Sequence, residues 1–415
     1  MLRKGLWLDP EFLKLWAGQT VSQLGSRISR EGLPLTAVLV LGASPLQMGI
    51  LSGVSGIAIL LFGLIAGAWA DRLRRRPILI CTDLGRAAIL STIPLAAFLH
   101  KLTIGQLYAT AALTGILNVF FDVSYQAYVP ALVTRESILE GNSKVALTES
   151  IAEVAGPGLT GILVQILTAP IAILFDALSF LASAFSLWII RRPEAPPVPN
   201  AAPHIVREIS EGLRVTWRDP VLRAITLRTL TGSFFMGIIS GLYILFAIRE
   251  LRLSPALLGI LISVGGVSSL FGAIFAERVV SRFGLGPTLI GAGMLAGVAA
   301  ILPPLARGPV AACAAVLGLS QVFDLAWPLY TINELSLRQA IVPDHLLGRV
   351  NSAMHLLFRG ILPAGALVGG VLAQITGVRA ALFLGGLGSL ASTLWLVFSP
   401  IPKIREFTDV KAANV

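Results

Sequence analysis

Residues 12–41 form an apolar run long enough to cross a bilayer, yet Arg27, Arg30 and Glu31 lie near its middle. On insertion scales each such charge costs about 2.5–3.5 kcal/mol at bilayer depth, so polar residues there face a partner or water. In a helix, Gln19, Gln23, Arg27, Arg30 and Glu31 fall largely on one face, flanked by Ser22 and Ser26. That stripe fits a water-filled cavity, and Arg27 and Glu31, spaced i,i+4, can pair. Similar groups recur downstream. Glu149 and Glu153 are again i,i+4; Asn351, His355 and Arg359 follow at four-residue steps; Arg228 stands in another apolar run. The chemistry open to them is proton binding. Burial and a neighbouring guanidinium pull a carboxyl's titration in opposite senses, and the balance can place it where a proton gradient operates. Glu31 is expected first as proton carrier, then Glu153 and Glu149. Gln19, Gln23, Arg27, Arg30, Arg228, Asn351, His355 and Arg359 are expected to line the substrate cavity, tuning the carboxyls or holding an anionic group. The competing reading is a buried ion pair that only joins helices.

The elements that carry these residues follow from composition. The chain has 415 residues, 55% hydrophobic and 13% charged, with mean hydropathy +0.82. Soluble domains carry about 25% charged residues, so this is expected to be an all-α polytopic membrane protein. Twelve spans are expected, near 12–41, 46–70, 77–99, 104–128, 144–167, 170–190, 222–248, 255–280, 286–306, 309–334, 347–375 and 379–399. They divide into a six-helix bundle over 1–190, a linker over 191–221, and a second bundle over 222–415. The linker opens "RRPEAPPVPNAAP" and continues as an amphipathic surface helix with Ile205, Ile209, Leu213 and Trp217 at helical spacing.

The net charge of +10 is not a nucleic-acid signal, because the basic residues sit between apolar spans. With the N-terminus inside, 22 of the 32 lysines and arginines fall on the cytoplasmic side and five opposite. That imbalance places both termini and the linker in the cytoplasm. Cys81 and Cys313 stand in separate apolar segments without metal-ligand spacing. No metal or other cofactor is expected, nor a cleavable signal peptide. The absence of a P-loop, nucleophile elbow or metal cluster argues against an enzyme.

The two halves repeat. "VPALVTRESILEGNSKVALTESIAEVAGPGLTGILVQILT" from Val129 aligns with "VPDHLLGRVNSAMHLLFRGILPAGALVGGVLAQITG" from Val342. With one gap, Asn142 and Ser143 match Asn351 and Ser352, while Gly156, Gly161 and Gln165 match Gly365, Gly370 and Gln374. Upstream, Phe121, Asp122 and Tyr128 match Phe323, Asp324 and Tyr330. Six helices repeated in one orientation describe a transporter of two parallel halves.

"GAWADRLRRRP", Gly67 to Pro77, resembles the G-x-x-x-D-R-x-G-R-R/K loop of the major facilitator superfamily, with Gly67, Asp71, Arg72, Arg75 and Arg76 in register and Arg74 replacing the second glycine. The resemblance implies the major facilitator fold, with Asp71 meeting the N-terminal end of helix eleven and the arginines locking a cytoplasmic gate. The second-half counterpart "SRFG" has Ser281 in place of the aspartate. "AGPGLTG" (155–161) holds a literal G-x-G-x-x-G, but inside an apolar span rather than after a strand. It resembles instead the glycine-proline motif of the superfamily's proton-linked exporters, where Gly156 permits close packing and Pro157 bends the helix. Asp122 and Asp324 are expected near the cytoplasmic ends as partners of loop arginines, and Asp83 and Arg86 are expected to pair. "LWAGQTVSQLG", "EGLRVTWRDPVLRA" and "FDVSYQAYVPALVTRESILEGNS" are similar to bacterial macrolide-efflux and enterobactin-efflux proteins. Together these imply a proton-coupled antiporter that exports lipophilic small molecules from the bacterial cytoplasm as a monomer in the inner membrane. The alternative cargo is anionic, a siderophore or lysophospholipid, by export or flipping.

Overall fold

The computed structural model describes residues 5–194 and 205–406, without the side chains at 59, 60, 64, 68, 70, 71 and 205–209. The first six crossings are α1 (Pro10–Leu39), α2 (Pro45–Arg72), α3 (Arg75–Phe98), α4 (Ile104–Leu132), α5 (Ile138–Leu167) and α6 (Ala169–Trp188). A surface helix, α7 (Ile205–Arg218), leads to α8 (Pro220–Leu245), α9 (Pro255–Phe283) and α10 (Leu285–Leu305). The tenth crossing is broken into α11 (Val310–Val322) and α12 (Ala326–Ile341). The eleventh is α13 (Asp344–Thr376), and the last is α14 (Val378–Ala391) with α15 (Leu394–Val397). No strand occurs among the described residues. Eleven of these crossings are apolar enough to span a membrane by composition. The twelfth is α1, which is as long but carries the charged stripe.

Capping fixes several starts. Asp9 accepts from Glu11 and Phe12 N–H groups ahead of Pro10, and Asp219 does the same for Val221 and Leu222 ahead of Pro220. The sixth helix shows the inverted polarity of a membrane interior. Asp176, Ser179, Ser183 and Ser186 turn inward, while Phe175, Leu178, Leu181 and Phe185 remain exposed on the outer face. An apolar exterior of this kind suits lipid rather than water. Against α6 lie Gly18, Gly25 and Gly32 of α1, seven residues apart. A Cβ at Gly18 would fall 2.5 Å from Ser186 Cβ, and one at Gly25 would fall 2.6 Å from Ser179 Cβ. Only glycine permits that approach.

The tenth crossing departs from the continuous helix expected over 309–334. Pro328 has no N–H to give the Asp324 carbonyl, and its ring would strike that carbonyl in a straight helix. The chain accordingly makes a tight 3-10 turn at Phe323–Leu325. Ser268 donates to the Val322 carbonyl, and Ser269 donates to the Asp324 carbonyl at 3.3 Å. Asp324 therefore sits at a mid-span break, not near the cytoplasmic end expected for it.

Contacts divide the chain into two compact units. One comprises Met1–Ala43, Val54–Ala201 and Ser254–Ser263; the other comprises Ser44–Gly53, Ala202–Leu253 and Val264–Val415. Each unit thus contains the opening turns of one helix from the opposite half of the sequence, and those turns match: "SPLQMGIL" at 44–51 and "SPALLGIL" at 254–261. In the first unit a Cβ at Gly259 would lie 3.0 Å from the Pro157 carbonyl carbon and 3.1 Å from Gly161 Cα. In the second, a Cβ at Gly49 would lie 2.6 Å from Ala366 O and 2.8 Å from Gly370 Cα. The repeat read from sequence is repeated in packing, glycine for glycine.

Candidate transport site

In the first unit the mid-span charges gather between α1 and α5. Arg27 makes a two-pronged ion pair with Glu153: Nη1–Oε1 is 3.1 Å and Nη2–Oε2 is 2.9 Å. Its expected partner was Glu31, one turn along α1. The neighbouring helix instead presents a carboxylate face-on to the guanidinium fork, which a residue on the same helix cannot do as well. Gly156 makes the approach possible, since a Cβ there would fall 2.6 Å from Arg27 Cβ. Glu31 is half-buried and makes no hydrogen bond among the described residues, but Arg27, Arg30 and Glu153 lie within electrostatic range of it. Glu149 is exposed one turn before Glu153, in range of Arg27. Arg30 is exposed and Gln23 half-buried.

Gln19 departs from the expected stripe. It is 4% exposed and donates to Ser183 Oγ of α6 at 2.8 Å. It belongs to the packed interior of the unit rather than to a cavity wall, because α1 turns its glycine seam, and Gln19 with it, toward α6.

In the second unit Arg228 of α8 is 9% exposed, with its guanidinium 3.6 Å from the Tyr330 ring centroid. Glu334 and Arg338 of α12 pair at 3.7 Å. His355 and Arg359 are exposed on α13, with Arg338 also in range of His355. Asn351 Oδ1 is buried without a hydrogen-bond partner among the described residues. The expected residues of this half do share one unit, joined by Tyr330, which the sequence reading had only as the repeat match of Tyr128, and by Glu334 and Arg338, which it did not single out. Glu334 and Arg338 were legible as an i,i+4 pair in an apolar run.

The loop motif is tied within the first unit. Arg76 donates to the Leu187 carbonyl at 2.8 Å and the Trp188 carbonyl at 2.5 Å, serving the orphan end of α6. Glu194 accepts from the Arg75 and Arg76 N–H groups at 2.7 and 3.1 Å, capping α3. Sequence reasoning missed Glu194 inside the proline-rich "RRPEAPP". Arg72 is exposed, and a Cβ at Gly67 would meet nothing within 4 Å among the described residues. The Asp71 side chain lies outside the described residues. Asp122 is exposed on α4, within electrostatic range of Arg86. Asp83 and Arg86 pair as expected. Pro157 is buried, and the next residue's N–H donates to Ser263 Oγ at 3.0 Å. No group of three or more metal-ligating side chains occurs among the described residues.

Long apolar helices in two repeated sets, with ionic groups held at mid-span, define an integral membrane protein of the secondary-transporter class. A family profile described as Major Facilitator Superfamily matches residues 15–364. Similar proteins include the multidrug efflux pump Tap of Mycolicibacterium fortuitum, 27% identical over 96% of this chain and 97% of that one. Macrolide efflux protein A of Streptococcus pyogenes is 25% identical over 97% and 98%. Among solved structures, a bacterial homologue of the iron transporter ferroportin in an inward-facing state superposes with TM-score 0.73 at 17% identity, over 94% and 98% of the two chains, which shows the shared fold. The chain belongs to the Major Facilitator Superfamily. It is a multi-pass membrane transporter and not an enzyme.

Proposed function

We propose that this transporter is a proton-coupled antiporter exporting lipophilic small molecules across the bacterial cytoplasmic membrane by alternating access, as a monomer with both termini in the cytoplasm. The observation that carries the reading is the exposure of Glu149 and Glu153 at the middle of α5, beside Arg27, Arg30 and Glu31. Exposed charges at that depth require water rather than lipid. Three carboxylates against two guanidiniums leave one negative charge to be neutralised by a proton. Glu31, Glu153 and Glu149 are the proton carriers in this reading; Gln23, Arg27 and Arg30 surround the cargo path. Proton and cargo then bias the same conformational equilibrium through their different affinities for its two states. Gly67, Asp71, Arg72, Arg75, Arg76 and Asp122 serve the cytoplasmic gate, with Gly156 and Pro157 shaping α5. The drug and macrolide exporters that this chain is similar to support the cargo class, and the lysine and arginine distribution supports the orientation.

The test is efflux of erythromycin from proteoliposomes under an imposed pH gradient. Glu31→Gln should abolish gradient-driven efflux while leaving the protein folded. Efflux equal to wild type at every gradient refutes the assignment.

A second reading, export or flipping of an anionic cargo, is favoured by the second unit. There Arg228 and Arg338 lie in range of one acid, Glu334, and Arg338 and Arg359 lie in range of His355. Tighter binding of a lysophospholipid than of erythromycin, lost in Arg359→Gln, would select it.

A further inference from the structure

The first unit buries a second ionic cluster on helices other than those of the exposed glutamates. Asp83 and Arg86 of α3 and Asp176 of α6 are each at most 4% exposed. Arg86 is ion-paired with Asp83, donates to Asn118 Oδ1 at 2.8 Å, and lies between the Phe121 and Phe180 rings, 4.1 and 4.0 Å from their centroids. Ser183 donates to the other Asp83 oxygen at 2.6 Å and itself accepts from Gln19. Each Asp83 oxygen thereby meets a donor.

Asp176 has no guanidinium on either oxygen among the described residues. Two hydroxyls adjoin it: Ser29 of α1, whose buried Oγ makes no other hydrogen bond among the described residues, and Ser179, 2.8 Å from the Asp176 main-chain oxygen and 3.1 Å from Oδ1. One hydroxyl hydrogen cannot serve both oxygens. A hydrogen on the Asp176 carboxyl would complete the second contact, with Ser179 Oγ as acceptor. The charge balance makes the same demand. The charged groups in range of Asp176 are Arg86 and Asp83. Asp122, exposed on α4, is the further acid in range of Arg86. Two buried carboxylates facing one guanidinium leave a negative charge uncompensated in a low-dielectric interior, which a bound proton removes. Moreover, Arg86 Nε–H is buried with no acceptor among the described residues, a donor held in reserve inside the cluster.

We infer that the Asp83–Arg86–Asp176 cluster is a proton-binding site holding one exchangeable proton, seated on Asp176 while Arg86 serves Asp83. On release, the proton passes from the carboxyl oxygen to water, and Arg86 turns its unused Nε–H toward the Asp176 carboxylate. No other bond forms or breaks. The exchange is felt by α1, because the Gly25 backbone sits against Asp176: a Cβ there would lie 2.8 Å from Oδ1. Gly25 is two residues from Arg27, so the protonation of α6 acts on the turn of α1 that carries the transport charges.

Infrared spectroscopy of the purified full-length protein tests the site without a cargo. Wild type should show a protonated-carboxyl stretch with a component band that is absent from Asp176→Asn, which mimics the protonated acid in shape, and retained in Glu31→Gln. The band should also vanish in Asp83→Asn, where one guanidinium meets one carboxylate and no proton is needed. A band unchanged in Asp176→Asn overturns the proposal, and so does its persistence in Asp83→Asn. A further arm rests on the proton-coupled reading and uses erythromycin in proteoliposomes. Asp176→Asn should bind erythromycin as wild type does but lose the acceleration by a pH gradient; retained acceleration overturns the coupling role. A wild-type protein that itself ignores the gradient refutes proton-coupled export and leaves the infrared result to decide the proton site.

Discussion

Thr168, between α5 and α6, has φ 88° and ψ 154°, a conformation that side chains with a Cβ rarely adopt. Its repeat counterpart is Gly377, which joins α13 to α14 at φ 90° and ψ 153°. The two halves require the same sharp turn, and only the second supplies the residue suited to it. A non-glycine residue in this region costs about 1–3 kcal/mol. Replacing Thr168 with glycine recovers that strain and gives back about 0.5–1 kcal/mol through the freer unfolded chain. The net expectation for Thr168→Gly is about 0.5–2 kcal/mol of added stability. Gly377→Thr should lose a similar amount from backbone strain alone, since a Cβ at Gly377 meets nothing within 4 Å. Unfolding in mixed detergent micelles, followed by tryptophan fluorescence at matched protein-to-detergent ratio, gives both differences. A Thr168→Gly protein no more stable than wild type, beside a Gly377→Thr protein equally unaffected, would refute the strain argument.

In the α1–α6 seam, Gly25→Ala should cost about 1–3 kcal/mol in the same unfolding assay, because its Cβ meets Ser179 and Asp176. Gly67→Ala, whose Cβ meets nothing within 4 Å among the described residues, should be neutral or stabilising, and equal effects would defeat the packing assignment. A double-mutant cycle of Arg27→Gln and Glu153→Gln should return a coupling of up to about 1 kcal/mol. The pair is two-pronged, but Glu153's side chain is 59% exposed and screened. Zero coupling would mean that the pair forms no stable contact. Glu194→Ala leaves two N–H groups of α3 uncapped and should cost about 0.5–2 kcal/mol. Hydrogen exchange should quicken at Arg75 and Arg76, and unchanged protection there would remove Glu194 from the cap.

The sequence made the crossings legible because a bilayer demands about 20 apolar residues each time, and the repeat legible because its glycines recur in order. What escaped it was three-dimensional. The choice of Glu153 over Glu31 as Arg27's partner depends on how closely α5 approaches, which Gly156 controls and helical spacing on α1 cannot report. The reassignment of Gln19 has the same origin: a helical wheel shows that residues share a sector, not which neighbour covers it. Two features were within reach. Pro328 four residues after Asp324 announces the broken tenth crossing, and Gly18, Gly25 and Gly32 at seven-residue spacing announce the seam on α6.

The repeat also separates scaffold from chemistry. Positions that set backbone approach are matched between the halves: Gly161 with Gly370, and Gly259 with Gly49, each against the corresponding turn. On the same register, Glu149 and Glu153 stand opposite Phe358 and Leu362, while Ala146 and Ser150 stand opposite His355 and Arg359. Two halves that keep one packing pattern have therefore exchanged carboxylates for apolar groups at two positions and gained cations at two others. Packing alone gives no reason for that divergence, since an apolar residue satisfies the fold at the first pair of sites in one half already. An acid retained at mid-span against its insertion cost is retained for its charge, and the acids lie on α5 where Arg27 meets them. On the proton-coupled reading proposed above, that asymmetry is expected if protons exchange in the first unit and the cationic groups of the second meet the cargo.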